Sequence, residues 1–153
     1  MINDNLNALG ELRLVLKNEE GEVKEDITVP NIITTAGKAH IAVRMAGTAQ
    51  GVMSHMELGT GTTSPAAGNT TLETIISGSR QGLASWTAST NTIVATCTFA
   101  AGVGTGAVTE AGILNASSGG TLLARTTFSV INKAAADSLT VSWTITISYR
   151  IKI

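Results

Sequence analysis

Three side chains of this sequence have the chemistry needed to hold a metal ion. His55 and Glu57 are two positions apart in a short apolar segment, so they share one face of a predicted strand, and His40 lies in a predicted helix. Imidazole and carboxylate groups are common zinc ligands. Because no second ligand motif accompanies them, the sequence favours histidines that are hydrogen-bonded or face solvent. We therefore expect neither a metal ion nor a cofactor.

Two carboxylates, Glu110 and Asp137, are the remaining candidates for acid–base chemistry. Glycoside hydrolases place a pair of carboxyl groups on either side of the bond that they cleave. Glu110 lies in a predicted strand and Asp137 in a distant connection. Sugar sites also need aromatic platforms, and aromatic residues make up 3% of this chain. A carbohydrate-binding or hydrolytic β-sandwich is therefore the third and least favoured interpretation.

Phosphate-binding and nucleophile motifs are incomplete in the sequence. Gly102-Val-Gly-Thr-Gly106 has the wrong last spacing for a dinucleotide loop, and Gly59-Thr-Gly61 lacks the lysine of a P-loop. The single cysteine, Cys97, alternates with Ala95 and Phe99 on the apolar face of a predicted strand. This position predicts a buried, unreactive thiol. These observations together predict a protein that is not an enzyme.

The composition limits the classes of partner. Charged residues make up 14% of the chain, against about 25% in typical proteins. A surface rich in Thr, Ser, Gly and Ala suits a protein whose faces are covered by partners, although Thr also simply fits the exposed side of a sheet. A net charge of −1 gives no basic footprint for nucleic acid, and no apolar run is long enough to span a membrane. Without a recognisable signal peptide, the protein is expected to stay in the cytoplasm or in a particle assembled there.

Acidic residues are concentrated near the start of the chain. Seven of the eleven lie within the first 26 residues beside three basic ones, so this segment carries −4 and the remainder +3. Two alternating segments flank a turn at 18–21, which predicts a β-hairpin. We interpret residues 1–29 as an acidic hairpin arm that docks on a basic patch of a neighbouring subunit; a solvated hairpin that protects one sheet edge is the alternative. The candidate contact residues are Glu19, Glu20, Glu22, Glu25 and Asp26.

One helix and about eight strands are predicted. Thr34 or Thr35 can cap a helix over about 34–46, and Gly47 can end it. From Leu139 to Ile153 apolar and polar residues alternate strictly, which predicts a strand with one buried face. The expected buried residues of that face include Trp143, Ile145 and Ile147. The other strands are predicted at about 53–58, 73–80, 82–88, 92–100, 107–114 and 121–129.

These elements predict an all-β fold. We expect an antiparallel jelly-roll-like sandwich over residues 30–153, with one short helix and an N-terminal β-hairpin arm. A strand from 139 to 153 spans roughly 50 Å at about 3.3 Å per residue, which is long for one small core. Its far end is therefore expected to contact a neighbouring molecule.

A series of short motifs carries a family resemblance. It begins with Asn31-Ile-Ile-Thr-Thr-Ala-Gly37 and continues with Met56-Glu-Leu-Gly-Thr-Gly-Thr-Thr-Ser-Pro-Ala-Ala-Gly-Asn-Thr-Thr-Leu72. It then runs from Phe99-Ala-Ala-Gly102 through Thr105-Gly-Ala-Val-Thr-Glu-Ala-Gly-Ile-Leu-Asn115, Gly119-Gly-Thr-Leu-Leu-Ala-Arg125 and Ile131-Asn-Lys133 to Ser138-Leu-Thr-Val-Ser-Trp-Thr-Ile145. As a series covering roughly residues 30 to 147, this pattern resembles the small virion structural proteins of tailed bacteriophages, which are head decoration (cement) proteins or tail-fibre-like proteins.

The resemblance implies a virion component without catalytic residues. Cement proteins of this size are often jelly-roll-like and sit as dimers or trimers on an icosahedral shell. Because the chain is small and lacks a coiled-coil or β-helical shaft, we expect a decoration protein that binds the major capsid protein and stabilises the head. Its expected location is the capsid surface, after assembly in the host cytoplasm. A tail, neck or fibre-associated adaptor is the alternative.

Overall fold

The computed structural model describes residues 6–149, which form nine strands and one helix. The helix, α1, spans Thr35–Met45. No helix in this part of the chain is both long and apolar enough to cross a membrane. The strands are β1 (Leu6–Lys17), β2 (Val23–Ile33), β3 (His55–Gly59), β4 (Gln81–Gly82), β5 (Ser85–Ser89), β6 (Thr92–Phe99), β7 (Gly106–Leu114), β8 (Leu122–Lys133) and β9 (Ser138–Tyr149).

The strands form a single antiparallel sheet in the order β4-β3-β7-β8-β2-β1-β9-β6-β5. The sheet curls into a half-barrel. Its two edges are consecutive in sequence: Gln81 in β4 pairs with Met56 in β3, whereas the Ala84 N–H donates to the Thr96 carbonyl in β6 at 2.7 Å. The predicted all-β fold with one short helix is confirmed. The jelly-roll sandwich is not confirmed, because the strands belong to one curled sheet.

The inner face of the sheet holds the core. In β1 and β9, the alternation of apolar and polar residues places Leu12 opposite Trp143 and Leu14 opposite Val141, all fully buried. Burying an aliphatic or aromatic side chain of this size stabilises the fold by roughly 1.5–3 kcal/mol. Trp143 and Ile145 are buried as predicted, whereas Ile147 is half-buried. The predicted continuation of β9 at 150–153 lies outside the described residues.

The N-terminal hairpin lies in the middle of the sheet. β1 pairs with β9 along its whole length, from Leu6 opposite Tyr149 to Lys17 opposite Ser138, and with β2 on its other side. The predicted boundary between residues 29 and 30 falls inside β2. The hairpin is therefore not an arm that projects from a sandwich, because its leucines supply part of the core and fix its register.

Helix α1 lies on the inner side of β8 and agrees with the predicted range to within one residue at each end. Its N-cap is Thr34, whose hydroxyl accepts the Gly37 N–H at 2.9 Å and donates to the Leu122 carbonyl at 2.6 Å. A side chain at Gly37 would collide with the backbone of Leu123. The small residue in the first turn thus lets the helix approach β8 closely.

The predicted strand at 73–80 is wrong. In that segment Ile75 forms an isolated bridge with Gly59, and the remaining residues are loop and turn. The segment instead belongs to a long loop, 60–80, that crosses the outer face of β3, β7 and β8. Leu72 from this loop is buried against Gly112, where a Cβ atom would lie 2.8 Å from Leu72 Cδ2. We call β3, β7 and β8 the loop-covered region.

The outer face of β5, β6 and β9 has a different character, and we call these strands the bare region. Alternation turns a row of Ser and Thr side chains away from the core, and they are half-buried or exposed. These side chains carry no formal charge. They are Ser85, Thr87, Ser89, Thr92, Thr96, Thr98, Thr140, Ser142, Thr144 and Thr146.

Candidate functional site

A buried ion pair joins β7 to β8. Gly112 is paired with Arg125, so Glu110, two residues earlier, lies diagonally across the same face. The Arg125 Nε and Nη2 atoms both lie 2.8 Å from Glu110 Oε2. The side chains are 2% and 0% exposed. Charges buried this deeply persist when they are paired and fully hydrogen-bonded, and both conditions hold here.

The Glu110 carboxylate holds the backbone of the long loop. Oε1 accepts the N–H groups of Gly61 at 3.0 Å and Thr74 at 2.7 Å, and Oε2 accepts the Glu73 N–H at 3.0 Å. A Cβ atom at Gly61 would lie 2.6 Å from Oε1, so this position requires glycine. In the Gly59-Thr-Gly61 segment the backbone therefore passes close to the Glu110 carboxylate. The lone pairs of this carboxylate accept hydrogen bonds from the loop, an arrangement that does not suit a general base.

Arg125 holds the same loop from its other side. Nη1 donates to Asn69 Oδ1 and Nη2 to the Thr63 carbonyl, both at 3.1 Å. Glu73 adds an ion pair with Arg125 at 3.5 Å and accepts the Thr63 N–H at 2.8 Å. The pKa of Glu73 is lowered, first by the Thr63 hydrogen bonds and then by Arg125. We call Glu110 and Arg125, with the loop groups bound to them, the loop clamp.

Glu57, one of the candidate metal ligands, forms a second ion pair, with Arg80. Glu57 accepts Arg80 Nε at 3.2 Å and Nη2 at 3.0 Å, while Arg80 Nη1 donates to carbonyls in the turn between β7 and β8, including Gly119 at 2.9 Å. His40 Nδ1 lies 2.9 Å from the Gln50 side chain, and His55 Nδ1 lies 2.8 Å from the Ser54 hydroxyl. Among residues 6–149, no group of three or more His, Cys, Asp or Glu side chains is placed to hold a metal ion.

Asp137 binds the N-terminal hairpin to the connection between β8 and β9. Its carboxylate accepts Lys24 Nζ at 2.7 Å and the Ala134 N–H at 2.9 Å. The hydrogen bond from Lys24 is the main cause of a lowered Asp137 pKa. Next to it, Lys133 Nζ donates to the carbonyls of Ala100 and Asp137, and burial lowers the pKa of this lysine. Asp137 and Glu110 therefore belong to separate hydrogen-bond networks.

Cys97 is buried on the inner face of β6, as its alternation predicts. It is fully inaccessible to solvent, and burial raises its pKa to about 11. The neighbours on the same face, Ala95 and Phe99, are equally buried. A thiol in this position packs as a small apolar group, since the thiolate needed for reaction is disfavoured.

The five acidic residues predicted to contact a partner lie in three different settings. Asp26 is on the outer face of β2, and Arg13 donates to it at 2.7 and 3.0 Å, which lowers the Asp26 pKa. Glu25 is half-buried on the inner side of β2, where its Oε2 has no hydrogen-bond partner in the described part of the chain. Three of the five remain together and exposed at the hairpin turn, namely Glu19, Glu20 and Glu22.

An apolar groove of about 480 Å³ opens between α1 and the inner ends of the bare region. Met45 and Val52 at its mouth are 84% and 48% exposed. Arg44 at the rim donates to the Gln50 carbonyl at 2.7 Å. Such a surface fits contact with an apolar segment better than chemistry. The other apolar lining residues include Ile41, Trp86, Ile93 and Ile147.

The two arginines of the buried ion pairs were missed by the reasoning from sequence alone. A signal for Arg125 is present: it is a lone charge in the apolar segment Leu122-Leu-Ala-Arg125, and Glu110 precedes it on the other strand of the same hairpin. Arg80 has no comparable signal, because it reaches Glu57 from a loop rather than from a paired strand.

No family model, curated protein or solved structure matches this chain. The function must therefore be inferred from the residues themselves. The features that bear on it are the loop clamp, the bare region, the apolar groove and the acidic turn.

Proposed function

We propose that this chain is a non-enzymatic structural protein of a bacteriophage virion, a capsid decoration (cement) protein that binds and stabilises the head shell. The proposal rests on the motif series over residues 30–147 and on what its polar members do. Glu110, Arg125, Gly61 and Asn69 all belong to that series, and all four are engaged in the loop clamp. Residues that carry the resemblance thus maintain shape, which is the task of a structural protein.

The helix cap supplies a further instance of the same observation. Thr34 and Gly37 belong to the series as well, and they fix α1 on β8 through the Leu122 carbonyl and the Leu123 backbone. The residues of this motif series thus hold the helix and the long loop against the sheet, which favours a rigid scaffold. A scaffold of this kind presents surfaces, and those surfaces carry the function.

The bare region and the apolar groove are the proposed contact surfaces. The outer side chains are neutral Ser and Thr, and the groove is lined mostly by apolar residues, with Arg44 at its rim already bonded to the Gln50 carbonyl. Binding a partner there therefore requires little desolvation of charge. The proposed partners are the major capsid protein and further copies of the chain, as a dimer or trimer on the capsid surface. Assembly takes place in the host cytoplasm.

The acidic turn supports a second, electrostatic contact. Glu19, Glu20 and Glu22 are exposed together and fit a basic patch on a neighbouring subunit, whereas Asp26 is already paired with Arg13. Contact between exposed charges weakens as salt shortens the screening length from about 10 Å at 0.1 M to about 3 Å at 1 M. If the turn is merely solvated, binding to undecorated particles will have the same affinity and salt dependence after all three residues are changed to Gln.

Copy number in purified virions tests the proposed function against its alternatives. A decoration protein is present in amounts comparable with the major capsid protein on a stained gel. A tail, neck or fibre adaptor is present at a small fraction of that amount. The exposed groove also suits such an adaptor, because it can bind a segment of another chain. Absence from virions together with glycan binding in solution would instead support the carbohydrate-binding interpretation.

A further inference from the structure

β5 is an edge strand whose outer side is open. It pairs with β6 from Ser85 opposite Thr96 to Ser89 opposite Thr92, and within residues 6–149 no strand lies on its other side. An open edge presents backbone N–H and C=O groups that are available to another strand. The direction of these groups decides which residues of β5 take part.

Hydrogen bonds on both sides of β6 define this direction. The Asn91 carbonyl accepts the Ile147 N–H of β9 at 2.8 Å, while the Thr96 carbonyl accepts the Ala84 N–H on the β5 side. Alternation along an antiparallel strand then directs residues 92, 94 and 96 towards β5, where their partners are 89, 87 and 85. Consequently Trp86 and Ala88 direct their N–H and C=O groups outward, away from the sheet.

β2 lies inside the sheet but also has an unpaired stretch, which is protected, unlike β5. β2 pairs with β8 only at Ile32 and Ile33 within the described residues. The rest of that edge carries the charged run Lys24-Glu-Asp26 and ends at Pro30. Charges and proline are the usual means by which proteins prevent edge-to-edge pairing. β5 has the sequence Ser-Trp-Thr-Ala-Ser and contains neither.

We propose that β5 pairs antiparallel with β5 of a second copy, about a two-fold axis at Thr87. This inference rests on the homo-oligomer contained in the proposed function and specifies its interface. In this register all five residues are paired. Trp86 lies opposite Ala88 of the partner subunit, a large side chain against a small one, and Thr87 lies opposite the partner's Thr87. The strand is thus complementary to itself, which is the requirement for a two-fold interface.

The pairing engages the groups that the fold leaves open. The outward N–H and C=O groups of Trp86 bond to those of Ala88 in the second copy, and those of Ala88 bond to those of Trp86 in the second copy. Thr87 occupies the pair between them. Because Trp86 also lines the apolar groove, the added strand extends the groove wall and covers part of its open side. Ser and Thr side chains oppose one another on the outer face, where such pairs are favourable.

The oligomeric state of three proteins tests the interface. By sedimentation equilibrium the wild type should reach twice the chain mass of 15.7 kDa. Thr87→Lys places two like charges opposite each other across the interface and should weaken dimerisation at least about tenfold, because like charges in an interface repel strongly. The control, Thr28→Lys, adds the same charge on the protected β2 edge and should remain a dimer. A monomeric wild type, a Thr87→Lys variant that dimerises as tightly as the wild type, or a monomeric Thr28→Lys would each overturn the proposal.

Disulfide cross-linking tests the register. Thr87→Cys brings two thiols to a non-hydrogen-bonded pair with Cα atoms about 4.5 Å apart, which is within disulfide range. It should give a covalent dimer on a non-reducing gel. Thr98→Cys, exposed on the same face but one strand further in, should not. Equal cross-linking of both variants, or none of either, contradicts the register.

The interface and the proposed function fail in different ways. A Thr87→Lys monomer that still binds undecorated particles supports the edge pairing and leaves the function intact. A wild-type dimer that binds no particle also supports the edge pairing but contradicts the decoration function. The native thiol of Cys97 does not interfere with the disulfide cross-linking, because it is buried.

Discussion

The loop-covered region and the bare region are two parts of one sheet, separated by β1 and β2, that are stabilised in different ways. In the loop-covered region the charged side chains form ion pairs and hydrogen bonds to the backbone. They are Glu110, Arg125, Glu57 and Arg80. The bare region has no formally charged residue in β5, β6 or the described part of β9, and depends on alternation between aliphatic and Ser or Thr side chains. Charged side chains therefore hold the loop in the loop-covered region and are absent from the strands of the bare region.

This difference separates the scaffold from the contact surface. Burying an ion pair costs free energy of desolvation unless every polar group in it is hydrogen-bonded. Here the buried pairs give a defined conformation to a loop that cannot fold by itself. A neutral strand face and an unprotected edge are risks for a free protein but suit one that assembles. We therefore assign shape to the loop-covered region and contact to the bare region.

The largest loss of stability is expected from the loop clamp. Glu110→Gln leaves the Arg125 charge without its buried counter-ion, which should cost about 3–5 kcal/mol. Urea unfolding measures the loss, and limited proteolysis should show cleavage within 60–74. The control, Glu73→Gln, removes the exposed partner of Arg125 and should have a much smaller effect. A wild-type midpoint for Glu110→Gln would show that the clamp does not hold the loop.

A smaller loss is expected from the core of the bare region. Trp143 Nε1 donates to Asn31 Oδ1 at 2.8 Å. Trp143→Phe keeps an aromatic ring but leaves that oxygen without its donor, for an expected cost of about 1–3 kcal/mol. Trp86→Phe, at a half-buried groove position, should cost less. Equal midpoints for the two variants would mean that the hydrogen bond to Asn31 contributes nothing measurable.

Acid should weaken the contact between the hairpin and the rest of the sheet. The folded-state pKa of Asp137 is lowered from its ordinary value of 3.8, so protons bind preferentially to the unfolded chain. The stability contributed by Asp137 is complete above that value and is lost as the pH falls below about 4. Melting temperatures from pH 7 to pH 2 should show a shallower acid slope for Asp137→Asn than for wild type. Parallel slopes would rule out this linkage.

The smallest effect on stability is expected at the acidic turn. Changing Glu19, Glu20 and Glu22 to Gln alters only exposed side chains, and such substitutions usually change stability by no more than about 0.5 kcal/mol. Binding to undecorated particles at low salt should nevertheless weaken if the turn docks. A large drop in melting temperature would mean that these carboxylates support the fold itself.

Regular elements were predictable from the sequence because their signals are local. Thr34 and Gly47 bracket α1, and the alternation around Trp143 predicts the buried face of β9. The order of strands was not predictable, because the position of β1 between β2 and β9 depends on pairing over more than a hundred residues. The segment at 73–80 was mistaken for a strand because the N–H groups of Glu73 and Thr74 bond to Glu110, so that its contact with β3 is limited to the isolated bridge at Ile75.

The candidate site shows the same limit. Glu57, His55 and His40 share ligand chemistry, but each has a different partner in the structure, namely Arg80 for Glu57, Ser54 for His55 and Gln50 for His40. Glu25 and Asp26 are adjacent in sequence, yet alternation sends them to opposite faces of β2. Composition therefore indicated where charge is concentrated but not which carboxylates remain free.

Amide hydrogen exchange of the chain, free and bound to undecorated phage heads, tests the division between scaffold and contact surface most directly. Binding should slow exchange in β5, β6 and β9 and leave the clamped loop at 60–74 unchanged. Protection confined to the loop-covered region, or no difference between the free chain and the chain mixed with heads, would contradict the account.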